Sequence, residues 1–157
     1  MDTLAIRIVT LEPMRAASAC GFGQNPEEQA WLKLAAWAGP KGFLQDKTAH
    51  PVFGFNNPNP SPDNPHYGYE FWLKVGPETQ PEGDIRITEF MGGTYAVARS
   101  EAHGNPGKNI PDAWKTLAQW CTANNHRFGF HQPLESIISG EDDPEKLILD
   151  LYCPIII

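Results

Sequence analysis

The sequence is poor in cysteine and in cationic side chains, and no long apolar run occurs in it. The three cysteines include no C-x-x-C pair, and the five histidines form no H-E-x-x-H motif, so we expect no metal site. An odd, sparse cysteine count without a signal peptide fits a reduced, cytoplasmic environment. No segment approaches the roughly 18 apolar residues of a membrane span, so no membrane partner is expected.

Several functional motifs are also missing. The chain has no P-loop, no dinucleotide fingerprint and no G-x-S-x-G elbow, so no cofactor is predicted. The 12 basic and 19 acidic side chains give a net charge of -7. Because phosphate binding needs a basic face, this charge disfavours nucleic acid as a partner and mildly favours cationic ligands. Solubility alone also accounts for it.

What the sequence does contain is a repeat. Residues 30–37 and 113–120 both read A-W-x-x-L-A-x-W, which places Trp, Ala and Leu on one apolar helical face. Ile6-Arg7-Ile8 returns as Ile85-Arg86-Ile87, and Glu70-Phe71-Trp72 as Asp150-Leu151-Tyr152. The matches keep their order at offsets of about 80 residues, which indicates a duplicated unit. Two unrelated amphipathic helices are the alternative.

The local patterns give each half a similar set of elements. Strands are expected at residues 4–10, 14–20, 51–56 and 67–75, and again at 85–90, 94–99, 133–138 and 146–153. The helices are expected from Pro26 to the Gly39-Pro40 stop and from Asn109 to about Ala123.

The predicted fold is therefore α+β: two ββαββ-type lobes with pseudo-twofold symmetry, antiparallel sheets and one main helix each. We expect a single domain over residues 1–157, with lobe one at about 1–76, a linker at about 77–83 and lobe two at about 84–157. A ligand cleft between the lobes is expected, lined by residues that do not face the helices.

Trp72 and Tyr152 are equivalent in the repeat and are expected on faces turned from the helices. They can sandwich a flat or cationic ligand, or simply fill the interface between the lobes. Glu135 lies inside a predicted strand, where we align it with Phe53 of the other half. A carboxylate in an apolar groove attracts a cation or acts as an acid or base, whereas a solvated position is the plain alternative. Glu70 and Asp150 are weaker candidates.

Together these features resemble the GyrI-like small-molecule-binding domain, the effector-binding part of some bacterial AraC-type and MerR-type multidrug regulators. The resemblance rests on the repeated lobes, the A-W-x-x-L helix, Glu135, and the Gly92–Val97 and Asp150–Ile155 segments. It implies a cleft that holds lipophilic cations through aromatic rings and a buried glutamate. The implied glutamate corresponds to Glu135 and a pocket tyrosine to Tyr152. The other expected ligand-binding residues are Trp72, Phe53, Phe55 and Ile137.

The sequence thus predicts a module that binds lipophilic, cationic or aromatic molecules without a DNA-binding domain of its own. A first alternative, also implied by the resemblance, is hydrolysis of cyclopropane-containing genotoxins with Glu135 and Trp72 as catalytic residues. A second alternative is a protein-partner inhibitor. The apolar terminus, residues 155–157, hints at a homodimer contact.

Overall fold

The computed structural model describes residues 5–59, 61–63, 66–101, 104–140 and 143–156. In chain order the strands are β1 (Ile6–Leu11), β2 (Met14–Gly23), β3 (Val52–Asn56), β4 (Tyr67–Val75), β5 (Arg86–Phe90), β6 (Gly93–Glu101), β7 (Arg127–Phe128), β8 (Leu134–Ser139) and β9 (Ile148–Ile156). The helices are α1 (Pro26–Ala38) and α2 (Pro106–Ala123), and short 3-10 turns occupy Phe43–Gln45 and Pro144–Lys146. The predicted α+β class is confirmed.

The chain divides into two compact units. The first unit is Pro13–Met91, and the second combines Met1–Glu12 with Gly92–Ile157. In the first unit the antiparallel strand order is β3-β4-β2-β5, and α1 covers one face. Alanines 17 and 19 on β2 lie under Ala30 and Leu34 of α1, so small side chains let the helix approach the sheet closely.

The second unit repeats this plan. Its antiparallel strand order is β1-β6-β9-β8, and β7 pairs with the end of β9. Ala113, Leu117 and Cys121 of α2 pack on Leu151 and the neighbouring residues of β9. The duplicated sheet-and-helix plan expected from the two tryptophan segments is therefore present in both units.

Each unit contains one strand that was expected in the other lobe. β1 pairs with β6 of the second unit, and β5 pairs with β2 of the first unit. The first unit therefore ends at Met91, and the expected linker, residues 77–83, lies inside it. There the Arg15 guanidinium donates to the Thr79 carbonyl at 2.6 Å, and the Trp37 indole N–H donates to Glu82 at 3.2 Å.

The second helix begins earlier than expected. Asn109 was predicted to start it, but α2 begins at Pro106 and carries Asn109 and Pro111 within its first two turns. A proline at the first position costs no hydrogen bond, because the first N–H groups of a helix have no partner within it. Ile157, part of the expected apolar terminus, lies outside the described residues.

Candidate functional site

Glu135 lies on the face of β8 that α2 covers. It stands directly opposite Leu151, a member of the buried cluster under α2, and directly opposed residues project to the same face of a sheet. The Trp114 indole Nε1–H donates to Glu135 Oε2 at 3.1 Å. Both side chains are half-buried. The Trp114 indole on α2 therefore orients this carboxylate.

The repeat position expected for Glu135 is wrong. Phe53 stands opposite Trp72, and the residue opposite Tyr152 is Leu134. Phe53 therefore corresponds to Leu134, and Glu135 falls one residue further along. Since a one-residue shift moves a side chain to the other face of a strand, Glu135 faces the helix while Phe53 faces away from it.

The true counterpart of Glu135 in the first unit is Gly54, which stands opposite Phe71. A Cβ added at Gly54 would overlap the phenol ring of Tyr69, which is only 7% exposed. The first unit therefore fills this place with an aromatic ring from β4, whereas the second unit fills it with a carboxylate.

Trp72 lies on the first unit's helix-distal face, the sheet face turned away from α1. Its indole N–H donates to Glu70 Oε2 at 2.6 Å. The Phe55 ring meets the Trp72 ring edge-on, with centroids 4.7 Å apart, and the Phe90 ring lies 5.5 Å away on the other side. Trp72 is thus held between two phenylalanines and is itself half-buried.

Glu70 accepts two further hydrogen bonds on the same face. The Ser18 hydroxyl donates to Oε2 at 2.6 Å, and the Asn57 side-chain amide donates to Oε1 at 3.1 Å. Three neutral donors therefore fix the orientation of this half-buried carboxylate.

The remaining apolar candidates differ in exposure. Phe53 and Phe55 are 5% and 6% exposed, so both rings belong to the packed interior of the structure. Ile137 is half-buried and packs against the cluster beneath α2, on the same face as Glu135. The structure thus brings Ile137 to Glu135, and Phe55 to Trp72.

Tyr152 lies on the helix-distal face of the second unit, opposite Val97. Its ring meets Tyr95 edge-on at 5.6 Å, and the Tyr95 hydroxyl donates to the Gln132 carbonyl at 2.6 Å. Burial, and then the negative charge of Asp150, raise the pKa of Tyr152, so its hydroxyl stays protonated at neutral pH. It therefore offers a ligand an uncharged aromatic surface.

Asp150 is a compensated acid. It is 2% exposed, and it accepts from Arg7 at 2.9 Å and from Arg99 at 2.9 and 3.2 Å. Burial alone acts to raise the pKa of Asp150, but the hydrogen bonds and charges of both arginines outweigh it and lower the pKa below its usual range. Asp150 therefore forms ion pairs with two arginines and has no uncompensated charge for a ligand.

Two general features bear on the class of function. The described part of the chain contains no group of three or more His, Cys, Asp or Glu side chains that could hold a metal ion. Neither helix in that part is long and apolar enough to cross a membrane.

Sequence reasoning missed several members of these groups. Trp114 was assigned only to an apolar helical face, although its N–H makes it a donor. Arg7 did carry a signal, because Ile-Arg-Ile is repeated. Ser18, Asn57 and Arg99 carried none. Ser18 and Arg99 reach an acid only through the pairing of β2 with β4 and of β6 with β9, and Asn57 does so only because β3 pairs with β4.

The first unit places aromatic rings beside the Glu70 carboxylate, and the second unit places Glu135 under α2. The chain belongs to the GyrI-like family, whose description, GyrI-like small molecule binding domain, matches residues 4–156. A comparison with curated proteins finds no match.

Solved structures share this fold at low sequence identity. The EcmrR C-terminal domain is 16% identical, with 98% of both chains covered and a TM-score of 0.69. The chain spans 57% of the EcmrR chain in its complex with DNA. A hydrolase from Listeria innocua is 13% identical over 96% of this chain and 91% of that chain, with a TM-score of 0.69. SAV2435 bound to tetraphenylphosphonium is 13% identical over 97% and 94%, with a TM-score of 0.53.

Proposed function

We propose that this domain binds lipophilic organic cations. The observation that carries the proposal is the Glu135 carboxylate, half-buried beneath α2 and held by the neutral Trp114 N–H. A partly desolvated carboxylate gains free energy when a ligand brings the opposite charge to it. The similar fold of SAV2435 holding tetraphenylphosphonium, a lipophilic cation, supports the same ligand class.

The proposed contacts are assigned unit by unit. In the second unit Glu135 supplies charge and Ile137 supplies apolar surface on the face that α2 covers, whereas Tyr152 supplies an aromatic ring on the helix-distal face. In the first unit half-buried Trp72 supplies the accessible apolar surface, with the buried Phe53 and Phe55 beside it on the same face. An aromatic ring attracts a cation through its negative face, by about 0.5–2 kcal/mol depending on exposure, so half-buried Trp72 and Tyr152 are the preferred rings.

The test compares a cation with a neutral molecule of related shape. Tetraphenylphosphonium and triphenylphosphine oxide are titrated calorimetrically into the wild type and Glu135→Gln. We expect Glu135→Gln to weaken the cation at least tenfold and the oxide less than twofold. Glu101→Gln, on an exposed side chain of β6, makes the same charge change as a control. Equal weakening of both compounds by Glu135→Gln would remove the role of charge.

Hydrolysis of strained cyclopropanes is the second candidate, favoured by the fold shared with the Listeria innocua hydrolase. In this reading water adds across the ring: one ring C–C bond breaks, hydroxide bonds to the electrophilic carbon, and a proton goes to the other. Glu135 moves the proton. Product carrying one added water, lost in Glu135→Gln with binding retained, would establish this activity. Binding without product would refute it.

We also propose a cytoplasmic location and a homodimer or protein contact for this domain. The three free cysteines support a reducing, cytoplasmic environment, and the net charge of -7 gives no reason to expect nucleic acid as a partner. The exposed Phe128, Phe130 and Ile156 of the second unit support a homodimer or protein contact. Light scattering of the wild type and Phe130→Ser tests it, and a monomer in both would exclude the homodimer.

A further inference from the structure

Glu70 and Asp150 occupy the same position in the two units, yet they face different partners. Asp150 on β9 stands opposite Arg99 on β6, and Glu70 on β4 stands opposite Cys20 on β2. The repeat therefore places an acid at this position twice. Where the second unit supplies an arginine beside it, the first unit supplies a cysteine.

This replacement leaves Glu70 without a bonded cation. Its partners are the Ser18 hydroxyl, the Asn57 amide and the Trp72 indole, all of them neutral. In the described part of the chain, no Lys, Arg or His comes within ion-pair distance of the Glu70 carboxylate. Asp150, by contrast, makes ion pairs with both of its arginines.

The second arginine also has a counterpart in the first unit. Arg86 stands opposite Ser18, just as Arg7 stands opposite Val97. Arg86 is exposed and makes no ion pair with Glu70, so water and salt screen its charge. It therefore reduces the negative potential at Glu70 without neutralising it.

Aromatic rings surround this carboxylate. Phe55 stands directly opposite Glu70 on β3, and Trp72 is the next residue of β4 on the same face. The two rings are mutually edge-on at 4.7 Å. Trp72 points its N–H edge at Glu70 and is half-buried, whereas Phe55 is buried behind it. A carboxylate beside a partly accessible aromatic ring suits cations too poorly hydrated to prefer water.

We propose that Glu70, with the rings of Trp72 and Phe55, is a second ligand carboxylate that binds an organic cation with a shielded charge, such as a quaternary ammonium or phosphonium group. This inference rests on the proposed function and adds to it a site in the first unit that does not use Glu135. The three neutral donors fix the orientation of the Glu70 carboxylate, so a cation can bind with little side-chain rearrangement.

The decisive variant is Cys20→Arg, which installs the counterpart of Arg99 next to Glu70. We expect this arginine to pair with Glu70 and to weaken at least tenfold the tetraphenylphosphonium binding that remains in a Glu135→Gln background. Glu70→Gln should weaken it equally, and both variants should leave triphenylphosphine oxide within twofold. Glu28→Gln, on an exposed side chain of α1 in the same unit, should bind like the wild type. Should Glu70→Gln fail to fold, Cys20→Arg still provides the test.

Cys20 also reports on the site directly. It is exposed, whereas Cys121 and Cys153 are buried, so iodoacetamide should alkylate it first. Burial, and then the charge of Glu70, raise the pKa of Cys20. Bound tetraphenylphosphonium should slow its alkylation severalfold in the wild type and have no effect in Glu70→Gln.

The outcomes separate the two proposals. Wild-type affinity in both Glu70→Gln and Cys20→Arg, with alkylation unaffected by the cation, would overturn the Glu70 site. If Glu135→Gln weakened binding in the same experiments, the proposed function would stand without it. A wild type that binds no cation at all would overturn both.

Discussion

The indole N–H of Trp114 on α2 lies 3.1 Å from Oε2 of Glu135 on β8. This bond joins the helix to the acid of the strand. A ligand cation would meet a carboxylate whose orientation is already fixed. The bond therefore links the stability of the second unit to the proposed binding chemistry.

Removal of this donor should cost stability. Trp114→Phe keeps an aromatic ring but leaves Oε2 without the indole hydrogen bond, so we expect a loss of about 1 kcal/mol in the free energy of unfolding. Trp31 is its repeat equivalent on α1 and packs edge-on against Phe71 at 5.5 Å. Trp31→Phe is therefore the matched control for lost packing. Urea denaturation that gives the same loss for both variants would contradict a stabilising bond to Glu135.

Arg99 and Arg7 of the second unit should contribute unequally to the free energy of unfolding. Arg99 gives Asp150 two hydrogen bonds and Arg7 gives one. Because both guanidiniums are half-exposed, we expect modest losses: about 2 kcal/mol for Arg99→Gln and about 1 kcal/mol for Arg7→Gln. The double variant should lose more than the sum, since it leaves a buried charge uncompensated. Strict additivity in urea denaturation would contradict a shared role.

Stability should fall in acid because of the same carboxylate. The pKa of Asp150 is lowered in the folded chain, so its contribution is complete above the unfolded value of about 4. As the pH falls through the folded pKa, the contribution is lost, because the unfolded chain takes up the proton first. Unfolding free energies measured at falling pH should therefore decline more steeply for the wild type than for Asp150→Asn. Parallel slopes would rule out this linkage.

Gly54 should tolerate no side chain. A Cβ there overlaps the buried Tyr69 ring, so we expect Gly54→Ala to lose about 1–3 kcal/mol of stability. Tyr69→Leu makes room, so the double variant should be destabilised by less than the sum of the singles. Additive losses in thermal or urea unfolding would mean that the strain lies elsewhere.

The sequence predicted the two helices but not the pairing of the strands. The repeated A-W-x-x-L-A-x-W segments gave the two helices, because helical periodicity is local. The exchange of β1 and β5 between the units was missed, since strand pairing joins residues far apart in the chain: Ile6 pairs with Ala98. Periodicity shows that a strand exists without showing which strand it joins.

The candidate site was predictable only in part. Alternation along β4 correctly separated Trp72 from Phe71, because a period of two needs no knowledge of the partner strand. The sheet face predicted for Glu135 was wrong because the loops differ in length between the repeats. An alignment error of one residue moves a side chain to the opposite face of a strand. Likewise, the equivalence of Cys20 in the first unit and Arg99 in the second could be recognised only from the strand registers of both units.

Calorimetric titration of the wild type with tetraphenylphosphonium and triphenylphosphine oxide decides whether the domain binds lipophilic cations. We expect the cation to bind at least tenfold more tightly and to be recovered intact by mass spectrometry. At 100 times its dissociation constant it should raise the unfolding free energy by about 2.7 kcal/mol. Equal affinity for the two compounds, or no binding of either, would show that the domain does not select cations.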